Sequence, residues 1–418
     1  MSLHSPGPQA AKVGVIILGG AHGSLALARG LAAHGVDVVY VTSDHPLPAS
    51  SRHVRLSARW PGIQNGREAL NWLLAFARDS KLEGYLLIAG GDAEVQWVSQ
   101  FLDDLSGTLR ALTTPWGRLQ KLCDKARLYQ LAEDLGLDFP RTYAISSSDS
   151  LSPQNYRFPV IIKPSVRVAT NRLTQDKAWR ADDTDQLATL YTEAARLMGN
   201  GGVVVQEMIP GGLNTQFSYC AFWKDGEEAA FLTACRQRQY PIEFGYTSTF
   251  VETLIEPAVA EAARKLLKAA RFNGLVEVEF IRDRRDGRFA VLDVNPRPWS
   301  WFGLSAAAHV DFAKLIAGDL KNQPAQTGPQ RPARWMNLLR DIVSAGYWIK
   351  SGQLPVSQYL RSFQLPLVWS AFSWADPMPG LIDLPITLWR ALSKRVWARV
   401  KWAVARKTPR AVAKPKQS

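Results

Sequence analysis

The stretch that decides the fold of this chain is FAVLDVNPRPW (289–299). It opens as an apolar strand, yet Asp293, Asn295 and Arg297 fall on every second residue. Alternate residues of a strand share a face, so an acid, an amide and a guanidinium line one wall. Leu292 and Val294 on the other face read as core. Just upstream, GLVEVEFIRD (274–283) is a second strand, and Asp286-Gly287 between the two is a turn signal. A hairpin of this kind sets Glu279, with Glu277 on the same face, toward Asp293 and Asn295. Carboxylates plus an amide oxygen suit a hard cation such as Mg²⁺, which keeps other positions for water and phosphate oxygens. The plainer alternative is a solvated sheet face whose acids pair with nearby arginines. That alternative sits poorly with three polar residues in so apolar a strand.

Working outward, the first region alternates strands and helices. VGVIIL, VDVVYVT and YLLIAGG are buried strands, with helices over GSLALARGLAAHG, over 65–79 and from Asp92 onward. Such alternation predicts a parallel α/β sheet over 10–114. The turn LGGAHGSLALA invites a dinucleotide reading, and Asp44 follows the second strand. The fingerprint G-x-G-x-x-G is broken, because Ala21 stands where its second glycine belongs. From Pro115 the pattern turns to α+β: one helix through TPWGRLQKLCDKARLYQLAEDLG, then the strands YRFPVIIKPS and GGVVVQEMIPGG. A hairpin over FSYCAFWKDGEEAAFLTACRQRQYP and a helix over EPAVAEAARKLLKAARF lead back to the opening strands.

Four of these motifs, in this order, resemble the ATP-grasp superfamily. They are Lys125 on a helix, Lys163 at the end of FPVIIKPS, the acid-tipped strand QEMIPG, and the pair VEF…VLDVNPRP. The resemblance covers roughly residues 13 to 320. It implies an ATP-grasp fold, α/β and α+β, with an N-terminal Rossmann-like domain (10–114) and two ATP-grasp subdomains (115–200 and 201–322). A C-terminal extension (323–418) ending in a basic helix would follow. Lys125 and Lys163 would then hold nucleotide phosphates, and Glu207 and the backbone near Ile209 would face the adenine with Gln206 alongside. Glu279, Asp293 and Asn295 would bind Mg²⁺, with Mn²⁺ as a substitute, and Arg297 would meet the acyl group. CRQRQYPIEFG and NPRPWSWFGLSAAAHVDFAKLI look like the carboxylate–amine ligase branch that includes D-aspartate ligases. There Arg236 and Arg238, alternating on one strand face, would clamp a carboxylate or the transferring phosphoryl group; pairing with surface acids is their other reading. The implied reaction is ATP-dependent amide formation through an acyl phosphate, releasing ADP and phosphate.

The chain departs from the family pattern in places. KPSVRVATNR lacks the glycine-rich loop that often follows the second lysine, so Arg167, Arg172 or Lys177 would reach the phosphates instead. After the hinge, IPGGLNTQF offers only Asn214 to the ribose. The first carboxylate of the last strand is Asp293 where Glu is usual. An NAD(P)-dependent oxidoreductase and a non-catalytic nucleotide-binding protein are the competing classes.

Composition narrows the rest. The 418 residues are 46% hydrophobic and 21% charged, enough for sizeable cores. No apolar run is long enough to span a bilayer and the start has no secretory core, which points to the cytoplasm. Three cysteines without CxxC spacing fit a reducing compartment, and six histidines form no zinc pattern. Of the net charge of +13, ten units come from Lys and Arg after Leu384, where there is no acid, so the first 383 residues carry only +3. A body this close to neutral argues against nucleic acid. In the tail, Trp389, Leu392, Val396, Val400 and Ala403 recur at helical spacing among basic residues. That stripe predicts either docking on the protein's own body or a peripheral site on the inner face of the membrane. A lipid-linked or envelope-precursor substrate, besides small carboxylic acids and amines, would suit the second case.

Overall fold

The computed structural model describes residues 13–43, 45–143, 145, 155–164, 171–173, 178–198, 202–240 and 247–389. The first sheet holds β1 (Gly14–Leu18), β2 (Asp37–Thr42), β3 (Leu56–Arg59), β4 (Leu86–Ala89) and β5 (Arg110–Ala111). Their order is β3-β2-β1-β4-β5, all parallel. The helices His22–Ala33, Gly66–Asp79 and Asp92–Gln100 connect them. Every residue of β1 and β4 is buried, as apolar runs covered on both faces require. β3 escaped the sequence reading because LSAR is half exposed and too polar to stand out.

The glycines after β1 have a packing cause. Gly20 has φ +77°, and a Cβ there would fall 2.4 Å from the carbonyl oxygen of Gly90. At Gly23 a Cβ would lie 2.5 Å from the Trp299 carbonyl oxygen and 2.6 Å from that of Pro298. The chain leaving the opening strand therefore packs backbone to backbone on the start of the helix after this turn. Asp44 lies outside the described residues.

The helix expected from Pro115 to Gly136 is two helices, Trp116–Cys123 and Lys125–Asp134. Asp124 between them is extended (φ −87°, ψ 120°), and its carboxylate caps the second helix by accepting from the Arg127 amide at 3.0 Å. Apolar spacing ran through the break, so only the cap marks it. The break sets Lys125 on the first helical residue, where its side chain reaches the opening strand.

The second sheet is antiparallel, β6-β9-β7-β8, from β6 (Thr142–Tyr143), β7 (Val160–Pro164), β8 (Trp179–Ala181) and β9 (Val203–Glu207), with the helix Thr184–Met198 packed on it. The third sheet carries the site. It runs β14-β13-β10-β11-β12-β15-β16, from β10 (Gln216–Lys224), β11 (Glu227–Tyr240), β12 (Thr247–Thr253), β13 (Gly274–Arg282), β14 (Phe289–Asn295), β15 (Arg334–Met336) and β16 (Leu367–Trp369). β10 and β11 form the expected hairpin, turning at Asp225-Gly226 with both residues at positive φ (54° and 82°). One face of this sheet, with Tyr219, Val276, Val278 and Phe280, packs on the helix Pro257–Ala269. On the other, Trp299, Trp301, Phe302 and Phe312 wedge between Cys220, Phe222 and Leu275 and the first sheet's Val15 and Ile17.

Two bulges change which side chains face the site. Glu279 pairs with Asp293 but Phe280 with Val291, which leaves Leu292 as the extra residue. Val291 and Val294 enter the core, whereas Leu292, expected there, joins Ile209, Ile281 and Ala290. On β11, Arg236 pairs with Val251 and Arg238 with Phe250, so Gln237 is extra and the two arginines do not share a face.

Beyond 323 the chain is largely folded onto the body. β15 pairs with β12, and the helix Leu338–Lys350, capped by Asn337, packs on β11 and β12. The helix Val356–Arg361, β16 and a helix over 378–389 follow. Ile382 and Ile386 of the last helix pack on Leu25, Leu47 and Ala371, and Asp383 lies 3.2 Å from His22. The tail stripe expected after Trp389 lies outside the described residues.

Candidate functional site

The three sheets enclose a cleft of about 790 Å³. The β13–β14 hairpin forms its floor. Asn295 donates to Glu279 Oε1 at 2.9 Å and to Glu277 Oε2 at 3.4 Å, and Asp293 sits opposite Glu279 in register. Lys125, from the helix start fixed by Asp124, donates to the Leu292 carbonyl at 3.0 Å and lies 3.3 Å from Asp293 Oδ2. Arg236 enters from β11, with Nη2 3.1 Å from Glu279 Oε2 and Nη1 2.7 Å from Gln216 Oε1. Arg297, just past β14, spans to the first domain: it pairs with Asp92 at 2.5 and 3.2 Å and donates to Asn295 Oδ1 at 3.3 Å. Lys163 on β7 donates to Gln206 Oε1 at 2.8 Å, and Gln206 is held in turn by its amide donating to Thr142 Oγ1 at 3.1 Å.

The electrostatics follow from burying like charges together. Burial, with Glu279 alongside, pushes the Glu277 carboxyl up to about 7, opposed by Arg236, Arg297 and the Ser218 hydroxyl. Burial also raises Asp293, against Lys125, with Glu279 adding to the rise. For Lys125 burial works downward, and Asp293, Tyr129 and Glu279 together outweigh it, so the ammonium is held above its usual value. The floor is thus carboxylates compressed together and offset by a ring of cations. Such a floor gains from any further positive charge beside it.

Glu279 and Asp293 fit a hard divalent cation as donors. Asn295 fits only when its amide oxygen turns from Arg297 toward them, an exchange of its oxygen and nitrogen positions. Among the described residues no group of three or more His, Cys, Asp or Glu side chains gathers as a metal site. Two carboxylates and an amide are a set of a different kind.

Several expected site residues stand elsewhere. Arg238 does not line the cleft: it makes a bidentate pair with Asp341 at 2.9 and 2.9 Å, donates to Ser362 Oγ, and lies 4.1 Å over the Phe250 ring. The Gln237 bulge turned it toward the C-terminal extension. Asn214 is exposed in a left-handed turn (φ 61°) away from the cleft lining. Glu207 does border the cleft, but its carboxylate is fully buried among Arg285 (2.6 Å), Arg288 (2.9 Å) and Arg157 (3.4 Å). It clamps the hinge strand onto the β13–β14 turn and has little left for a base. The apolar cradle next to it is Ile209, Ile281 and Leu292. Arg172 pairs with Glu193 at 3.5 Å, and Arg167 and Lys177 lie outside the described residues. The sequence reading missed Asp92, Tyr129 and Gln216. It also missed Tyr347, Trp348 and Gln353, which reach the cleft from the C-terminal extension. None of these six carried a local signal, whereas Glu277 was marked by its period-two spacing from Glu279.

This geometry defines a cleft enclosed by the three sheets, with Lys125 and Lys163 in its lining and a carboxylate hairpin as floor. Residues 122–300 match the family model of the ATP-grasp domain, and the chain has the ATP-grasp fold. Among curated relatives it is similar to D-aspartate ligase of Enterococcus faecium, 20% identical over 303 residues that cover 68% of this chain and 72% of that one. Among solved structures it is similar to N5-carboxyaminoimidazole synthetase of Staphylococcus aureus (TM-score 0.58, 16% identity, 78% of this chain and 82% of that one). L-amino acid ligase of Bacillus licheniformis is a further match (TM-score 0.57, 15% identity, 78% and 80%).

Proposed function

We propose that this chain is an ATP-dependent carboxylate–amine ligase working through an acyl phosphate. The observation that carries this is the convergence of Lys125, Lys163, Arg236 and Arg297, from four separated segments, on one cleft floored by Glu279 and Asp293. A carboxylate oxygen of the acid substrate attacks the terminal phosphorus of ATP and ADP leaves. An amine then attacks the acyl carbon, phosphate leaves, and the amine's surplus proton passes to solvent. Mg²⁺ held by Glu279, Asp293 and Asn295 would neutralise phosphate charge during the transfer. Lys125 and Lys163 bind the phosphates, Ile209 and Leu292 flank the base, and Arg297 faces the acyl group. The likeness to a D-aspartate ligase and an L-amino acid ligase supports small carboxylic acids and amines as substrates. The test is incubation with ATP, Mg²⁺ and pools of acids and amines. ADP, phosphate and a product lighter than its two parents by one water are expected; AMP with pyrophosphate would overturn the acyl-phosphate route.

A location at the inner membrane surface has one supporting observation. Among the described residues the exposed large apolar side chains, Tyr240 and Ile255 apart, all lie between Leu338 and Trp389. The helix over 378–389 buries Ile382 and Ile386 but exposes Met378, Leu381, Leu384, Leu388 and Trp389, just before the ten basic residues of the tail. An apolar face continued by a basic segment suits an anionic lipid surface, where a lipid-linked envelope precursor would be met. No helix among the described residues is long and apolar enough to cross a membrane. Flotation with anionic vesicles tests this: full-length protein should float, and the same recovery for a chain ending at Trp389 would remove the tail from the account.

A further inference from the structure

The C-terminal extension lies outside the matched residues 122–300, and from Gln323 to Trp389 it shows solvent no carboxylate. Its acids there are Asp341, Asp376 and Asp383, all buried, against Arg238, Arg29 and His22 in turn. Arg331, Lys350 and Arg361 are exposed. On the helix Leu338–Lys350 the buried face is Asp341, Ser344, Ala345 and Trp348. Opposite it, Leu339, Ile342, Val343 and Tyr347 recur at helical spacing and are 37, 56, 55 and 47% exposed. A surface helix ordinarily turns polar residues outward; this one turns out an apolar stripe that none of the described residues covers. The stripe runs about 12 Å from Leu339 to Tyr347. It ends at the cleft, which Tyr347 lines together with Trp348 and Gln353.

We propose that this stripe is a track for the hydrocarbon chain of an amphiphilic carboxylic acid, whose carboxylate enters the cleft past Tyr347. The inference rests on the ligase reading above and adds to it the class of the acid substrate. Two requirements meet at Tyr347: apolar surface to be covered outside the cleft, and a reacting group to be delivered inside it. One molecule satisfies both when a carboxylate ends a long alkyl chain. The charge agrees, because an anionic head crossing this face meets no exposed acid before Arg236 and Arg297 in the cleft lining. A second copy of the chain would cover the stripe without supplying the reacting group.

The experiment is calorimetric titration of full-length protein, in Mg²⁺ and a non-hydrolysable ATP analogue, with straight-chain carboxylates from butanoate to dodecanoate and the matching alkylamines, below their micelle concentrations. Wild-type affinity for the carboxylates should rise about twofold per added methylene, because a chain on an open stripe loses water on one side only. Ile342→Ser with Val343→Ser should remove most of that rise and leave affinity for the ATP analogue unchanged. Both positions are more than half exposed, so the fold should tolerate the change, and Val343→Asn alone gives a second reading should the pair misfold. Leu381→Ser with Leu384→Ser, on the last helix, should keep the rise. The proposal is overturned by no rise with chain length, by the same rise in the stripe variants, by a rise with alkylamines alone, or by its loss in the last-helix variant alone. A wild-type dimer in light scattering that the stripe variants abolish overturns it too, since a second copy would then cover the stripe. Failure of the ATP analogue to bind wild type would instead refute the ligase reading itself.

Discussion

Glu277 offers the sharpest physical test, because its charge is set by burial. It is 4% exposed, bonded to Ser218 Oγ at 3.0 Å and Asn295 Nδ2 at 3.4 Å, with Glu279 beside it and Arg236 and Arg297 as the nearby cations. In the unfolded chain it loses its proton near 4.5, in the folded protein near 7. Between those values the folded state binds the extra proton, so this group's contribution to stability is complete below 4.5, falls as pH rises, and is lost above 7. At 1.36 kcal/mol per pKa unit the whole loss is about 3 kcal/mol. Glu277→Gln keeps the length and the acceptor for Ser218 and removes the ionisation. The variant should therefore be more stable than wild type at pH 8, by about 2–3 kcal/mol, with the advantage fading toward pH 5. Urea denaturation of both proteins at pH 5, 6, 7 and 8, without nucleotide or divalent cation, reads this directly. Asp293 is shifted in the same sense, so wild type will not be the whole measure; the difference between the two proteins isolates Glu277. Parallel pH profiles for wild type and variant would refute the reasoning.

Three further outcomes are expected. Asp293→Asn combined with Asn295→Ala should lower kcat by about a hundredfold or more at millimolar Mg²⁺ while urea denaturation still shows a cooperative fold, and unchanged kcat would remove the metal assignment. Arg297→Ala should depress kcat more than it raises the KM for ATP, because its proposed partner is the acyl group; a change confined to the ATP KM would move it to the nucleotide. Arg238→Met should cost about 3–5 kcal/mol by leaving Asp341 buried without its partner, and Arg238→Met with Asp341→Leu should recover most of that, both read from urea midpoints.

The sequence determined the elements and the nature of the floor. The VIIL and LLIA runs, the two-residue turn at Asp225-Gly226 and the alternation Glu277, Glu279, Asp293, Asn295 are local patterns, imposed by backbone geometry over a few residues, and they hold in the fold. The four motifs in order also predicted that distant residues would share one cleft, and Lys125, Lys163, Arg236 and Arg297 all line it. What tertiary structure alone decided has one recurrent cause: a single extra residue, or a distant partner, leaves no periodic trace. A one-residue bulge at Leu292 moved it from the expected core to the cleft, and another at Gln237 sent Arg238 to Asp341. The Asp124 cap split an unbroken apolar pattern into two helices. Asp92 and Trp348 belong to the cleft only because sheets far apart in sequence close over it. Of the glycines after β1, which invited a cofactor reading, Gly20 meets the Gly90 carbonyl, and Gly23 is small because Pro298 and Trp299, some 275 residues later, press their backbone against it.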